Sequence, residues 1–287
     1  MKEITVGVVA PAYANLPLWV AAEQGFLERR GLRVTEQILG TTDGVTRALA
    51  DGTVDFGLTS PEGSMADALA GGPLRVVASL TDRPPLSMMA LPRHRTFADL
   101  RGGRIGTSSL TEGTRHVAQA MLAAHGLRYP QDYEFALEGS HVRRWQALQA
   151  GTIDAALQMI PYDQIAADAG FTDLGPVTQE FAFNAVCVRL DAERPVVTAF
   201  LQALAEAAQW FGAHVAEAAA LAAAHTSVEP RYALAACGKL AAPGVIPAGL
   251  RSSPAALAAA AGALRSSGLI PPDAPDPVAA AVDYSYL

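Results

Sequence analysis
Residues 48–57 read ALADGTVDFG, and residues 147–156 read ALQAGTIDAA. Each copy carries Ala-Leu, two variable positions, Gly-Thr, a β-branched residue and Asp. A repeat of this kind outranks every local signal, because missing it misreads the whole fold. Ala-Leu closes a helical run, and Gly52 and Gly151 supply the left-handed residue that ends a helix. The apolar residues that follow, 54–60 and 153–159, read as buried strands. The segment is therefore a helix-to-strand corner written twice. Asp55 and Asp154 read as strand-edge residues rather than catalytic ones, since two equivalent corners cannot both be one active site.

Outward from these corners the same grammar recurs. Residues 4–10 (ITVGVVA), 32–39 (LRVTEQIL) and 74–80 (LRVVASL) are apolar strand signals, and 103–109 (GRIGTSS) and 133–139 (YEFALEG) are their counterparts in the second copy. Helical runs lie between them. Gly31 and Gly126 close two of these, Thr42 or Asp43 is positioned to cap a third, Ser60 with Pro61 opens a fourth, and Ser140 caps a fifth. Strands alternating with helices predict mostly parallel sheets made of βαβ units. The expected fold class is α/β, with two lobes, each a mostly parallel sheet flanked by helices, and a cleft between them. Residues 86–95 and 181–191 read as crossovers. They divide the chain into 1–85 (first lobe), 86–187 (second lobe) and 188–287, a largely helical return to the first lobe.

Composition narrows the function. Of the 287 residues, 51% are hydrophobic, which marks a folded globular chain and excludes disorder. The formal net charge is −7 and no Lys/Arg block appears, so nucleic acid is not an expected partner. No apolar run approaches the length of a membrane span. Residues 1–10 lack the long h-region and cleavage site of a secretory signal. An extracytoplasmic location is expected if a leader has been removed, and a cytoplasmic one otherwise. Cys187 and Cys237 sit in apolar runs and read as buried free thiols.

Taken in order, PLWVAAEQGFLERRGLRV (17–34), ALADGTVDFGLTSPE (48–62), DLRGGRIGTSS (99–109) and ALQAGTIDAALQMIPY (147–162) resemble the nitrate/sulfonate/taurine solute-binding proteins of ABC importers and their pyrimidine-precursor-binding relatives. The resemblance covers about residues 4–191. It implies the type II periplasmic-binding-protein fold, closure of two lobes on a small-molecule ligand, and a membrane permease as partner.

Ligands of open parallel sheets bind beyond the C-terminal strand ends, at helix N-termini. That rule selects loops 11–15, 41–44 and 59–62 in the first lobe, and 107–114, 140–141 and 160–162 in the second. The expected ligand-binding residues are Tyr13, Asn15, Thr41, Thr42, Asp43, Ser60, Glu62, Ser108, Ser109, Thr111, Thr114, Arg115, His141 and Tyr162. Helix N-termini and hydroxyls suit an anion, and Arg115 would add a charge-assisted bond. Asp43 and Glu62 would instead suit an amine, so a small organic acid and an amino-heterocycle both stay open. For each Ser or Thr, simple helix capping is the competing reading.

Enzyme signatures are sparse. HExxH, CxxC and GxxxxGK(S/T) do not occur, and no two of the six histidines stand four apart on a helix. No catalytic residue, metal ligand or cofactor is expected. His116 and His141 are the two candidates for acid–base work from the second lobe. Some proteins of this fold are enzymes. The pyrimidine synthases of thiamine biosynthesis carry a cysteine-rich motif absent here, which leaves a decarboxylase- or lyase-type enzyme acting on a small aromatic or pyrimidine-like substrate as the alternative.

Overall fold
In a computed structural model describing residues 1–287, the ten strands fall into two five-stranded sheets. The first has the order β2-β1-β3-β10-β4, from β1 (Lys2–Val8), β2 (Leu32–Ile38), β3 (Phe56–Thr59), β4 (Leu74–Thr81) and β10 (Asn184–Arg189). The second has the order β7-β6-β8-β5-β9, from β5 (Leu86–Ala90), β6 (Gly103–Thr107), β7 (Tyr133–Leu137), β8 (Ala155–Met159) and β9 (Thr172–Pro176). The two orders are equivalent, as the duplicated corner predicts. In each sheet one strand runs against the others: β10 pairs antiparallel with β3 and β4, and β5 with β8 and β9. These are the strands by which the chain enters each sheet from the other lobe. The return crossing precedes Asn184, so the expected boundary at residue 187 falls inside a strand that lies wholly in the first sheet.

At the repeated corner, α2 (Thr42–Ala50) leads into β3 and α5 (His141–Gln149) into β8. Gly52 and Gly151 have φ of 71° and 66°, which an L side chain rarely adopts. The two aspartates act alike. Asp55 accepts the Thr5 N–H at 2.7 Å, and Asp154 accepts the Arg104 N–H at 2.8 Å. Each locks the incoming strand to its parallel neighbour.

The caps differ in detail from expectation. Thr41, not Thr42 or Asp43, caps α2, accepting the Gly44 N–H at 3.1 Å. Ser60 caps nothing, because α3 (Glu62–Leu69) begins after Pro61 without a side-chain cap. Ser140 caps α5 as expected, accepting from Arg143. The later helices α7 (Arg194–Ala213), α8 (Val215–Thr226) and α9 (Pro230–Leu240) pack on the first lobe, where Phe200 lies against Phe56 with centroids 4.2 Å apart. No helix is long and apolar enough to cross a membrane.

The lobes touch across the cleft. Thr42 of α2 donates to Ser108 in the second lobe at 3.0 Å, and Thr46 donates to Glu112 at 2.9 Å. At a separate contact, Lys239 of α9 pairs with Asp163 of α6 (Tyr162–Asp168), and the Tyr232 hydroxyl donates to Asp168 at 2.9 Å.

Candidate functional site
Strand ends and helix starts of both lobes enclose a cavity of about 70 Å³. The first lobe contributes Val9, Ala10, Ala12, Ala14 and Asn15 after β1, Thr42 at the start of α2, Leu58–Ser60 at the end of β3, and Phe183 and Asn184 at the start of β10. The second contributes Ser108, Gly113 and Thr114 ahead of α4 (Thr114–Ala124), His141 and Arg144 from α5, and Met159 from β8. Six of the fourteen expected residues thus meet there: Asn15, Thr42, Ser60, Ser108, Thr114 and His141.

The second-lobe wall is a hydroxyl chain. The Thr114 hydroxyl accepts the Ser108 N–H at 2.9 Å and lies 3.2 Å from the Thr107 hydroxyl, while Ser108 Oγ accepts from both Thr42 and Thr114. Across the cavity, Asn184 donates to Ala14 O and Asn15 Oδ1, at 3.0 and 3.1 Å. Ser60 Oγ is buried and has no partner at all.

Arg144, which is not among the expected residues, is the cation of the site. Its side chain is 3% exposed, with Nε donating to Leu157 O at 3.1 Å and Nη1 to Gly139 O at 2.6 Å. It faces two neutral carbonyls and forms no salt bridge. Burial pulls its pKa down to about 10, which leaves it charged at neutral pH. His141 is neutral, pushed down to about 3 by burial and then by the neighbouring Arg144 charge.

Eight expected residues lie elsewhere, each for a visible reason. Tyr13 is turned into the first-lobe core, its hydroxyl 3.4 Å from Thr226. Thr41 is occupied as the α2 cap. Asp43 pairs with Arg47 one helical turn on. Ser109 and Thr111 bond to each other within their own turn, Ser109 Oγ accepting the Thr111 N–H at 3.1 Å. Arg115 extends over Tyr129 and Phe135, its guanidinium carbon 5.3 and 5.6 Å from the ring centroids. Tyr162 packs on His141, with centroids 5.1 Å apart. Glu62 is fully buried behind Ser60, outside the cavity lining. His116 is held by its own loop, Nε2 lying 2.8 Å from Thr111 O, and burial pushes its pKa down to about 4.

Arg144, Asn184, Phe183 and Met159 went unselected. Arg144 had a signal: His141, Arg144, Trp145 and Leu148 share one face of α5 at i, i+3, i+4, i+7 spacing, and all are buried. An arginine on a core-facing stripe is an exception to the usual exposure of charged residues. Asn184 opens the apolar run NAVCV, a weaker signal of the same kind.

Two equivalent sheets linked by two crossings, with a cavity at their facing strand ends, define a two-lobed binding-protein fold. The structural likeness is extensive. The alkanesulfonate-binding protein SsuA of Xanthomonas axonopodis pv. citri, solved with MOPS bound, matches with a TM-score of 0.80 at 19% identity, covering 99% of this chain and 98% of that one. The nitrate-binding protein NrtA of Synechocystis PCC 6803 matches with a TM-score of 0.78 at 12% identity, over 100% and 87% of the two chains. Residues 14–218 match the NMT1/THI5-like family model, and the chain belongs to that family. Among curated relatives, the 4-amino-5-hydroxymethyl-2-methylpyrimidine phosphate synthase THI13 of Saccharomyces cerevisiae is 26% identical over 156 residues, 51% of this chain and 43% of that protein. The chain thus aligns with less than half the length of that synthase.

Proposed function
We propose that this protein is the ligand-capturing component of an ABC importer and that its ligand is a small organic anion, a sulfonate or carboxylate. One observation carries the reading. Arg144 is a buried cation without a protein anion to balance it, and it lines the inter-lobe cavity. An unpaired buried charge is costly, and a bound anion relieves that cost. The polar part of the lining agrees, with hydroxyls, two asparagines, the start of α4 and no carboxylate, and the apolar part, Val9, Leu58, Met159 and Phe183 among it, suits an organic tail. An amine would meet Arg144 unfavourably, so the amino-heterocycle falls behind. A small ligand fits the size as well, since the cavity in the closed form is about half the volume of an engineered cavity that holds benzene. A membrane permease as partner and an extracytoplasmic location belong to the same proposal.

The test is calorimetric titration with a panel of short-chain sulfonates and carboxylates, against matched primary amines. The expected result is anion binding that weakens by about 1.5–3 kcal/mol in Arg144→Gln. Amine binding, or anion binding indifferent to Arg144→Gln in a folded variant, overturns the reading.

A second reading rests on the curated relatives, which are named as pyrimidine phosphate synthases. An enzyme of this scaffold would have to draw on His141, the titratable base in the cavity wall. Product analysis after incubation with pyrimidine-like substrates distinguishes it: turnover lost in His141→Ala supports the enzyme.

A further inference from the structure
Where the lobes meet, two carboxyl groups are buried together. Glu62, at the start of α3 in the first lobe, is 0% exposed and neither carboxyl oxygen has a hydrogen-bond partner. Glu112, in the β6–α4 loop of the second lobe, is 6% exposed and is held by the Thr46 hydroxyl of α2. It lies directly over Gly63, where a Cβ would come within 2.6 Å of its Oε1. A Cβ there would also meet Thr46 Oγ1 at 2.6 Å, so the glycine makes room for the Thr46–Glu112 pair as a whole against α3.

The surroundings offer little compensation. From the loop before α3 comes the Ser60 hydroxyl and from the second lobe the Gly113 N–H, both near Glu62 without bonding it. From β10 comes the Cys187 thiol, which burial pushes up to about 12 and keeps neutral. From α2 come Asp43 and Arg47, and these pair with each other at the surface. Neither glutamate takes part in a salt bridge, and no third ligand gathers to make a metal site. Two ionised carboxylates cannot share such a place.

We propose that Glu62 and Glu112 form a proton-dependent latch: the lobes close on the protonated pair and are driven apart when both carboxyls ionise. Burial, and for Glu112 the facing Glu62, raise the two groups to about 7 and about 8 in the closed form. A carboxyl that opening exposes to water titrates near 4.3. The closed form therefore holds more protons across the interval between, and closure weakens as pH rises through it. The buried histidines act in the opposite sense. His116 and His141 are neutral in the closed form, so acid would open the lobes through them.

The proposal presupposes that the lobes part and requires nothing of what they bind, so its test uses the ligand-free protein. Both native cysteines are buried, which allows dyes on Asp51→Cys and Gln146→Cys, exposed positions on opposite lobes. Single-molecule energy transfer between them reads the open-to-closed ratio from pH 5 to pH 8. Divided by the ratio of the Glu62→Gln/Glu112→Gln double variant, which keeps only the histidine contribution, the wild-type ratio is expected to rise at least tenfold per pH unit between about pH 5 and pH 7. Glu62→Gln and Glu112→Gln should each reduce that difference, and the double variant should not open as pH rises. A wild-type ratio that follows the double variant at every pH, or a wild-type profile in both single variants, overturns the latch. None of these results bears on the anion reading, which the titrations decide separately.

Discussion

At the scale of single residues, the cavity wall separates groups that hold the fold from groups left free. Ser60 belongs to the second kind: its hydroxyl is buried, lines the cavity and bonds to nothing. Ser60→Ala should leave the free energy of unfolding within about 0.5 kcal/mol of the parent, because no protein hydrogen bond is lost. It should weaken anion binding by about 1 kcal/mol, the worth of one hydrogen bond. Thermal unfolding and calorimetry on the same preparation check both halves. Arg115 should behave in reverse. It is buried against Tyr129 and Phe135, so Arg115→Ala should cost about 1–2 kcal/mol of stability and leave affinity unchanged. Sequence reasoning chose Arg115 over Arg144 because it weighed closeness to a helix N-terminus. Loop position locates a site only to within a turn. Which way a side chain points depends on helix phase, and the phase of α5 was legible in its buried stripe.

At the scale of elements, the repeated corner was fully legible, because it rests on local rules: a left-handed glycine after a helix, then a β-branched start to a strand. Its copies are not equally loaded. Asp55 accepts one backbone N–H, whereas Asp154 accepts the Arg104 N–H and also bonds to Arg93 and to His94, the latter at 2.9 Å. Burial would raise the Asp154 pKa, but these bonds outweigh it and hold the carboxyl below its ordinary value. A group lowered in the folded state stabilises above its unfolded pKa and loses that contribution as pH falls through the folded one. Asp154→Ala should therefore cost about 1.5–3 kcal/mol at pH 7 and progressively less below about pH 4. Asp55→Ala should cost less at pH 7. Urea denaturation of both variants at pH 7 and pH 3 measures the difference, and equal losses at pH 7 would show the corners to be energetically equivalent after all. The helix starts were harder to read than the corners. Thr41, Thr42, Asp43 and Ser60 are all good caps by type, and only the backbone geometry decides that Thr41 does the capping.

At the scale of the whole molecule, two lobes, two crossings and a return of the chain to the first lobe follow from element order, and all were legible. Contacts between the lobes were not, because they join residues with no sequence relation. Thr42 to Ser108, Thr46 to Glu112 and Lys239 to Asp163 are examples. The third of these lies outside the cavity lining, which makes it a probe of closure separate from ligand contact. Asp163 is buried, while Lys239 is half exposed and partly screened by water. A pair of this kind contributes at most about 1 kcal/mol. If the ligand binds the closed form, its apparent affinity scales with the fraction of molecules able to close. Lys239→Met removes the cation that faces Asp163 across the gap and so disfavours closure. Affinity for the identified anion should fall by up to about fivefold, although Lys239 does not line the cavity. The fall should appear as faster release, since closure holds the ligand in, and stopped-flow measurement of the dissociation rate reads it directly. Release at the parent rate from a folded Lys239→Met protein would mean that the α6–α9 contact does not report on closure.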